Sequence, residues 1–394
     1  MTNKSGTQIS EQAHQPYNAE PSYRALRPRR GEVEIIHGGD AVEAASRIWN
    51  ELETAYGVNS PFQSLALAKV AARAHVQAKE TPRIVVVRDG GRPVLLLPTV
   101  VAAKPGLSTV RFLGDPLIQY GDAIAAPDAS FEHFESAWSA IADPNVASVV
   151  LLRKVRHGAR IASFLGKVAY QLANTEAPFV DLRLPNRTAK KHMREVERLR
   201  RRLNEKGAIR LEILHGRSVG EALHEAIALK RVWLSDRGLP GRVLGNPIWE
   251  GALTELVGKS CAGAQMVAAR LTIEGALAAI EIGFADQRTW FAYVGAISPS
   301  FVQLGPGHVQ TADTIAHCRN RGLACYDLLP PSQPYKRVLS TDSVSVFDYG
   351  APLTVAGWIP VFAQKSLPHA KIAFNRLPPG LRRFFASRLS PREQ

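Results

Sequence analysis

The stretch Q-M-V-A-A-R-L-T-I-E-G-A-L-A-A-I-E-I-G-F, from Gln265 to Phe284, predicts a β-hairpin. Two runs of apolar and β-branched residues flank Glu274-Gly275, which is the pair at which the chain is expected to turn. The run T-W-F-A-Y-V-G, from Thr289 to Gly295, predicts a third strand. These three segments together indicate an antiparallel meander.

The segment L-G-P-G-H, from Leu304 to His308, follows the meander and leads into a predicted helix from about His308 to Asn320. Arg321-Gly322 is expected to end this helix, because glycine readily adopts the left-handed conformation of a helix C-terminus. A short strand is predicted at Leu323–Leu329 and a final strand near Val344–Phe347. The predicted order is three strands, a glycine-rich loop, a helix and a strand.

A similar pattern occurs earlier, in P-R-I-V-V-V-R-D-G-G-R-P-V-L-L-L-P-T-V-V, where Asp89-Gly90-Gly91 separates two apolar runs. Two helices are predicted before each hairpin, and Ser60 and Pro61 are expected to begin the second helix of the first pair. The other predicted elements are helices at Ser218–Asp236 and Pro247–Val257, a strand through Phe112, a helix at Phe131–Ile141 and a strand at Ala147–Arg153. The two hairpins lie about 180 residues apart, which indicates two copies of one α/β unit.

The cationic excess is concentrated in two short segments of the 394-residue chain. Lys and Arg number 49 and Asp and Glu number 35, which gives a net charge of +14. Residues 187–206 hold nine basic and three acidic residues, and residues 364–394 hold seven basic residues and one acidic residue. This distribution favours local contacts with anions over a general nucleic-acid coat.

The cysteine content and hydropathy exclude several classes of protein. Cys261, Cys318 and Cys325 are too few and too widely spaced for a disulfide framework or a zinc site, so reduced, buried thiols are expected. We find no apolar run of the roughly 18 residues needed to span a bilayer. We therefore expect a cytoplasmic protein without a metal.

Four segments together resemble one family. They are F-L-G-D-P-L-I-Q-Y-G-D from Phe112 to Asp122, the basic helix K-K-H-M-R-E-V-E-R-L-R-R-R-L-N-E-K-G, the segment L-G-P-G-H, and Y-D-L-L followed by P-Y-K. Their order and spacing over about residues 55–350 resemble the CelD/BcsL-like bacterial acetyltransferases of cellulose and exopolysaccharide synthesis. This family lies within the GNAT superfamily and is related to the FemAB-type transferases.

The resemblance implies an α/β fold of two tandem GNAT-like units, with mixed, mainly antiparallel sheets flanked by helices. We expect a disordered tail at 1–32, an N-terminal half at 33–182, a C-terminal acetyltransferase half at 183–354 with the basic helix 187–206, and a basic amphipathic tail at 355–394. The implied activity is acyl transfer from acetyl-CoA, or another acyl-CoA, to an amine of a sugar or peptide-like precursor.

The resemblance and the local chemistry together suggest site residues. A glycine-rich loop at a helix N-terminus suits a diphosphate, so the acyl-CoA is expected to contact Gln303, Leu304, Gly305, Pro306, Gly307, His308 and Lys336. The family resemblance suggests that the acceptor cleft between the halves is lined by Asp115, Tyr120 and Asp122.

Three side chains are candidates for proton transfer. Glu281 is a candidate general base if burial raises its pKa, although strand alternation directs it away from its apolar neighbours and a solvent-facing position is the competing interpretation. Tyr335 or Tyr293 is a candidate acid for the departing thiolate. Asp327 is interpreted as an ordinary strand terminus rather than an active-site acid.

The two basic segments leave alternatives open. The basic helix has an apolar stripe of Met193, Val196, Leu199 and Leu203, and its arginines are compatible with a solvated face, an anionic lipid surface, a nucleotide-linked acceptor or tRNA. The stretch Leu377–Leu389 suits a helix on an anionic membrane surface, which would make the protein peripheral to the inner membrane. The alternative functions are a FemAB-type aminoacyl-tRNA-dependent transferase and a non-catalytic, membrane-proximal assembly factor for polysaccharide export.

Overall fold

A mixed β-sheet runs through the residues that the computed structural model describes, which are 31–185, 190–236 and 241–365. Its strands are, in chain order, β1 (Glu32–His37), β2 (Thr81–Asp89), β3 (Arg92–Lys104), β4 (Leu107–Phe112), β5 (Ile124–Ala125), β6 (Val149–Arg156), β7 (Tyr170–Asp181), β8 (Ile209–His215), β9 (Ser260–Cys261), β10 (Ala264–Ile273), β11 (Ala276–Ala285), β12 (Thr289–Ile297), β13 (Cys325–Asp327) and β14 (Asp342–Pro352).

Helices cover both faces of this sheet. They are α1 (Ala41–Ala44), α2 (Ser46–Tyr56), α3 (Leu65–Gln77), α4 (Phe131–Ile141), α5 (Ala162–Val168), α6 (Lys190–Asn204), α7 (Ser218–Ser235), α8 (Pro247–Glu255), α9 (Pro306–Asn320) and α10 (Pro334–Leu339). Two 3₁₀ turns lie at Pro61–Gln63 and Pro299–Leu304, and residues 358–365 are helical.

Both predicted hairpins are confirmed, and both have the same turn geometry. Gly90 and Gly91 join β2 to β3 with φ of 57° and 80°, and Glu274 and Gly275 join β10 to β11 with φ of 48° and 81°. A two-residue hairpin loop with positive φ at both positions matches the right-handed twist of the flanking strands. The repeat inferred from the sequence is therefore present at the level of the individual turn.

The repeat extends to the order of strands in the sheet. The sheet order is β1-β2-β3-β4-β6-β14-β7-β13-β12-β11-β10-β8. From one edge inward, the four antiparallel strands β1 to β4 are followed by β6, which is parallel to β4. From the other edge inward, the antiparallel strands β8, β10, β11 and β12 are followed by β13, which is parallel to β12. The two halves of the chain therefore fold as two similar units that face each other across the middle of one sheet.

The two central strands are exchanged between the units. β7 belongs to the first half of the chain but pairs with β13 of the second half, whereas β14 belongs to the second half and pairs with β6 of the first. β7 and β14 also pair with each other along most of their length. Since each unit is completed by a strand of the other, the sheet and the main apolar core continue through both units.

Several boundaries differ from the sequence predictions. Ser60 precedes a 3₁₀ turn instead of α3, and Ser64 caps that helix by accepting a hydrogen bond from the N–H of Leu67. The strand expected at 323–329 has only three residues. β7 and β8 were not predicted, because exposed residues interrupt their apolar pattern.

The basic helix is confirmed as α6 and is amphipathic. Val196, Leu199 and Leu203 are buried against α9 and β10, as the apolar stripe predicts, whereas Met193 is 38% exposed. Arg200 forms an ion pair with Asp313 of α9, which fixes the helix on the face that α9 covers. The terminal segments 1–30 and 366–394, including the tail residues predicted to contact a membrane, lie outside the described residues.

Candidate active site

β12 and β13 diverge shortly after they begin to pair, and we call this point the C-terminal fork. Their parallel register covers Thr289–Phe291 against Cys325–Asp327, whereas β12 continues to Ile297 with β11 on its other side. Within the described ranges, no strand pairs with 292–297 on the side that faces away from β11, and we call this side the open edge. Backbone N–H and C=O groups along such an edge can bind a ligand, and among them the carbonyl oxygen of Gly295 already accepts a hydrogen bond from Nζ of Lys230 at 3.3 Å.

Gly295 leaves empty space beside the open edge. A Cβ built on this exposed glycine would have no heavy atom within 4 Å, and its φ lies outside the left-handed region. The register between β11 and β12 also shifts between Ile282 and Gly283, so that Tyr293 is an extra residue in a bulge next to this space. The strand therefore has both a free edge and room for an extended chain to lie along it.

The start of α9 lies next to the open edge, and two glycines allow it to pack closely. Gly305 has φ of 65°, and a Cβ there would lie 3.1 Å from the Leu199 side chain of α6. A Cβ on Gly307 would lie 2.9 Å from the Ile297 side chain of β12. The sequence prediction treated this loop as a source of uncovered backbone amides, whereas the structure shows that the glycines bring the helix start close to α6 and β12.

Histidines and a tyrosine surround the start of α9. The His308 ring lies 5.9 Å from the His192 ring and 6.4 Å from the Tyr335 ring, measured between centroids. Nε2 of His192 is buried and has no hydrogen-bond partner within the described part of the chain. Burial lowers the pKa of His192. The first-turn N–H groups, the positive helix end and these side chains form a site suited to an anion.

The other residues predicted to contact acyl-CoA differ in exposure. Gln303 is exposed in the 3₁₀ turn, Leu304 packs in the apolar cluster below α6, and Pro306 is buried at the first position of α9. Tyr335 is 40% exposed at the start of α10, and burial of its hydroxyl raises its pKa to about 12. Its ring lies within reach of the α9 start, whereas Lys336, which follows it, points into the protein.

Glu281 is buried on the face of the sheet that α9 covers. Its carboxylate accepts hydrogen bonds from Nε1 of Trp290 at 2.8 Å and from the hydroxyl of Tyr326 at 2.7 Å. Strand alternation does direct it away from Ile280 and Ile282, but α9 covers this face, so the side chain is 6% exposed and does not face solvent. Burial raises the pKa of Glu281 to about 6.

Asp327 lies at the C-terminal fork on the opposite face, toward the N-terminal half. The hydroxyl of Tyr120 donates to both of its carboxylate oxygens, at 2.9 and 3.0 Å, and the N–H of Leu329 donates at 2.8 Å. Burial raises the pKa of Asp327. Sequence reasoning interpreted Asp327 as an ordinary strand terminus, because its partner Tyr120 is 207 residues away and no local pattern connects the two.

Lys336 lies between these two carboxylates. Its ammonium donates to the carbonyl oxygen of Leu329 at 2.8 Å and is attracted by both Asp327 and Glu281. Burial lowers the pKa of Lys336 to about 8. The sequence interpretation assigned this residue to cofactor binding, and the structure shows its ammonium hydrogen-bonded within the protein to the carbonyl oxygen of Leu329.

Tyr293 connects the two halves. Its hydroxyl donates to the carbonyl oxygen of Leu117 at 2.8 Å, and burial raises its pKa. Its ring packs near Phe62 and Phe284 in the shared core. Because its proton is already hydrogen-bonded within the protein, Tyr293 is less suited than Tyr335 to act as an acid.

In the N-terminal half, β4 and β6 diverge as β12 and β13 do, and a loop of the protein fills the space between them. β4 and β6 pair only through Thr109 and Val110, and the loop 113–123 enters the gap beyond them. The N–H of Gly121 donates to the carbonyl oxygen of Lys154 at 2.9 Å, and Nζ of Lys154 donates to that of Ile118 at 2.6 Å. The loop therefore fills the space between the diverging strands by hydrogen bonding to β6.

Replacing Gly121 by alanine is expected to destabilise the protein. The added Cβ would lie 2.8 Å from the carbonyl oxygen of Arg153 and would contact the Phe112 ring. Since a backbone carbonyl within a strand cannot move aside, we expect the free energy of unfolding to fall by about 1–3 kcal/mol or more. Denaturant titration measures this change. The matched control Gly166→Ala lies in a helix with open space and should be neutral or slightly stabilising, and equal stability of the two variants would contradict the prediction.

The three residues predicted to line the cleft have different roles. Asp115 is buried in ion pairs with Arg111 and Arg242, which hold its pKa below the usual range despite burial, so it joins the two halves. Tyr120 and Asp122 both line a cavity of about 310 Å³. Asp122 accepts hydrogen bonds from the N–H groups of Ala123, Arg160 and Ile161 and from Nδ2 of Asn59, yet burial raises its pKa to about 6.

The described residues show no grouping of His, Cys, Asp and Glu suited to a metal ion. Cys261, Cys318 and Cys325 are all free thiols. None of the helices in the described ranges is both long and apolar enough to cross a membrane. Contact with an anionic membrane therefore stays a prediction of the sequence.

Comparison with known proteins supports the acyltransferase interpretation. Residues 190–337 match the family model described as an acetyltransferase (GNAT) domain. This segment contains α6, the open edge, α9, the C-terminal fork and Tyr335. A search of curated proteins found no match.

Three solved structures share the fold. The C-terminal DUF2156 domain of a protein named as a lysylphosphatidylglycerol synthetase, from Agrobacterium fabrum, is similar with a TM-score of 0.53 and 11% identity over 82% of this chain and 96% of that one. L-PGS from Bacillus licheniformis has a TM-score of 0.50 and 10% identity over 81% of this chain and 96% of that one. FemX has a TM-score of 0.51 and 8% identity over 74% of this chain and 92% of that one. At these identities the similarity concerns the fold alone.

The domain match and the strand order agree with each other. The open edge and the α9 start both lie in the matched segment, and the same strand order occurs in the other half of the sheet. Residues 190–337 therefore match an acetyltransferase (GNAT) domain, and they lie within an α/β fold of two similar units.

Proposed function

We propose that this protein transfers an acyl group from an acyl-CoA, acetyl-CoA first among them, to an amine of a sugar or peptide-like precursor. The observation that carries the proposal is the open edge of β12 beside the start of α9. An unpaired strand edge suits the amide-containing arm of CoA, and a helix N-terminus suits its diphosphate. The resemblance to polysaccharide-associated acetyltransferases makes an amino sugar the first acceptor to test.

The residues at the C-terminal fork fit this ligand. Gly295 leaves the space that an extended arm needs, and His192 and His308 offer ring nitrogens beside the first turn of α9. Bound acyl-CoA supplies a thioester whose carbonyl carbon is open to attack by an amine. Tyr335 has an exposed ring next to this site, and we assign it the role of hydrogen-bond donor to the sulfur.

Asp327 is the proposed proton acceptor for the amine. It lies on the face of the fork that meets the N-terminal half, where Tyr120 holds both carboxylate oxygens. Burial raises its pKa, which makes its carboxylate a stronger base. Glu281 lies on the opposite face, enclosed by Trp290 and Tyr326, so we assign it an electrostatic role through Lys336.

A second candidate is aminoacyl transfer from tRNA. It is favoured by the outer face of α6, where Arg194, Arg198 and Arg201 are exposed and only Arg198 has an acidic partner among the described residues. The sequence resemblance to the family related to the FemAB-type transferases is the reason to consider this reaction. Such a face suits a phosphate backbone, whereas the open edge of β12 has no evident use in that reaction.

Calorimetric titration of CoA and acetyl-CoA into the full chain tests the proposed function. We expect a dissociation constant on the order of 1 µM to 1 mM, the usual range of substrate affinities. Gly307→Trp places a bulky ring against Ile297 at the start of α9, and this variant should lose CoA binding. Absence of CoA binding in the wild type would overturn the proposal, and transfer from aminoacyl-tRNA by the same preparation would then support the second candidate.

A further inference from the structure

The cavity of about 310 Å³ lies between the N-terminal half and β14. Its walls come from three segments of the N-terminal half, at 59–63, 120–122 and 156–159, and from Val344 of β14. Tyr120 belongs to this wall, and its hydroxyl donates to Asp327 at the C-terminal fork. The cavity is therefore separated from the proposed proton acceptor by one aromatic side chain.

Most polar side chains in the wall are already hydrogen-bonded within the protein. The Ser60 hydroxyl donates to Oε1 of Gln63 at 2.6 Å, and Nε2 of Gln63 donates to the carbonyl oxygen of Tyr120 at 2.6 Å. Nδ2 of Asn59 donates to Asp122, whose carboxylate also receives three backbone N–H groups. These contacts keep the wall in place and leave few donors for a ligand.

Arg156 is the exception. Its guanidinium lies 5.3 Å from the centroid of the Tyr120 ring, and this guanidinium makes no side-chain hydrogen bond or salt bridge with any residue in 31–185, 190–236 or 241–365. It is half-buried at the end of β6, where the ladder with Val346 of β14 fixes its backbone. A guanidinium held over an aromatic ring keeps its N–H groups in a plane that matches a carboxylate or a phosphate.

The charges around the cavity also favour an anion. His157 follows Arg156 in the wall and is exposed; its backbone N–H donates to the carbonyl oxygen of Ser345, and its ring has no hydrogen-bond partner in the part of the chain that the structure describes. Asp122 is the single carboxylate among the lining residues, and its four donors already satisfy it. Asp327 attracts Arg156 from beyond Tyr120, but it is shared with Lys336.

We propose that this cavity binds the acceptor through an oxyanion group, a phosphate or a carboxylate, held by Arg156. The acceptor is then an amine that also carries a negative charge, and its amine is directed past Tyr120 toward Asp327. The identification of the ligand as the acceptor rests on the proposed function, whereas the preference for an anion does not. Arg156 thereby determines specificity and takes no part in proton transfer.

Three related amino sugars separate the possible ligand chemistries. D-glucosamine 6-phosphate carries a phosphate, D-glucosaminic acid carries a carboxylate, and D-glucosamine carries neither. Each is titrated calorimetrically into the full chain without CoA. We expect one or both charged sugars to bind about tenfold to hundredfold more tightly than D-glucosamine, the gain typical of a hydrogen-bonded ion pair. The charged sugar that binds more tightly shows whether the oxyanion is a phosphate or a carboxylate.

Variants at Arg156 assign the preference to this side chain. Arg156→Ala should remove the difference between charged and neutral sugars, and Arg156→Lys should keep only part of it, because an ammonium lacks the planar pair of donors. The control Arg217→Ala changes an exposed arginine before α7 and should leave the preference intact. Circular dichroism confirms that each variant is folded.

The outcomes separate this inference from the proposed function. Equal affinity of the wild type for the three sugars, no binding of either charged sugar, or an unchanged preference in Arg156→Ala would each overturn the inference. CoA binding is measured independently, so a chain that binds CoA without any preference for charged sugars refutes only the inference. A chain that prefers the charged sugars but binds no CoA refutes only the acyl-CoA proposal.

Discussion

Replacing Gly295 by leucine is expected to abolish CoA binding while leaving the protein folded. The new side chain would fill the empty space beside the open edge of β12, where a Cβ meets no heavy atom within 4 Å. The backbone at this position is compatible with any residue, so no strain is introduced. We expect the dissociation constant for CoA to rise by about 100-fold or more, since an overlapping side chain and the arm of CoA cannot occupy the same volume.

Two further glycines serve as controls for this variant. Gly251→Leu lies on the exposed side of α8, also with no atom within 4 Å, and should bind CoA as the wild type does. Gly283→Leu should instead unfold or severely destabilise the protein, because a Cβ there would lie 2.7 Å from the carbonyl oxygen of Phe291. A folded Gly295→Leu protein with unchanged CoA affinity would show that the ligand does not follow β12.

Asp327→Asn is expected to lower kcat/KM for amine acylation by about 10²–10⁴-fold, the usual contribution of a general base. An amide cannot accept the proton of the amine, yet it keeps the shape of the carboxylate and can still contact Tyr120. The wild type should also show an acid limb in its pH profile. As the pH falls through the raised pKa of Asp327, its carboxylate binds a proton and no longer acts as a base.

Two companion variants distinguish the carboxylates of the fork. Tyr120→Phe removes a hydrogen bond that favours the ionised form of Asp327, so the pKa of this group should rise and the acid limb should move to higher pH. Glu281→Gln should reduce kcat/KM less than tenfold, because Glu281 lies on the face that α9 encloses. If Glu281→Gln abolished activity and Asp327→Asn did not, the base would have to be assigned to Glu281.

The local elements of the fold were predictable because short-range sterics decide them. Glu274-Gly275 and Gly90-Gly91 favour turns with positive φ between apolar runs, and this preference holds whatever surrounds them. The apolar stripe of α6 likewise identifies its buried side before any partner is known. By contrast, β7 was missed, because its alternation is irregular and its pairing partners are supplied by distant parts of the chain.

The candidate site was only partly predictable. The loop before α9 and the residues Glu281, Tyr293 and Tyr335 could be identified as chemically capable, but the sequence does not show which face or which partner each meets. Tyr293 is hydrogen-bonded to the N-terminal half, and Glu281 is covered by α9. Arg156 had no distinguishing sequence signal, since its role depends on its position over a ring from another loop.

The two α/β units, their hairpins and the amphipathic helix could be predicted from the sequence, because periodicity and turn chemistry act between residues close in the chain. The exchange of β7 and β14, the filling of the N-terminal fork by the loop 113–123 and the hydrogen bond between Tyr120 and Asp327 became visible in the folded chain alone. These features depend on contacts between residues far apart in the chain, whose free energies are set by packing and burial in the assembled sheet rather than by local preference.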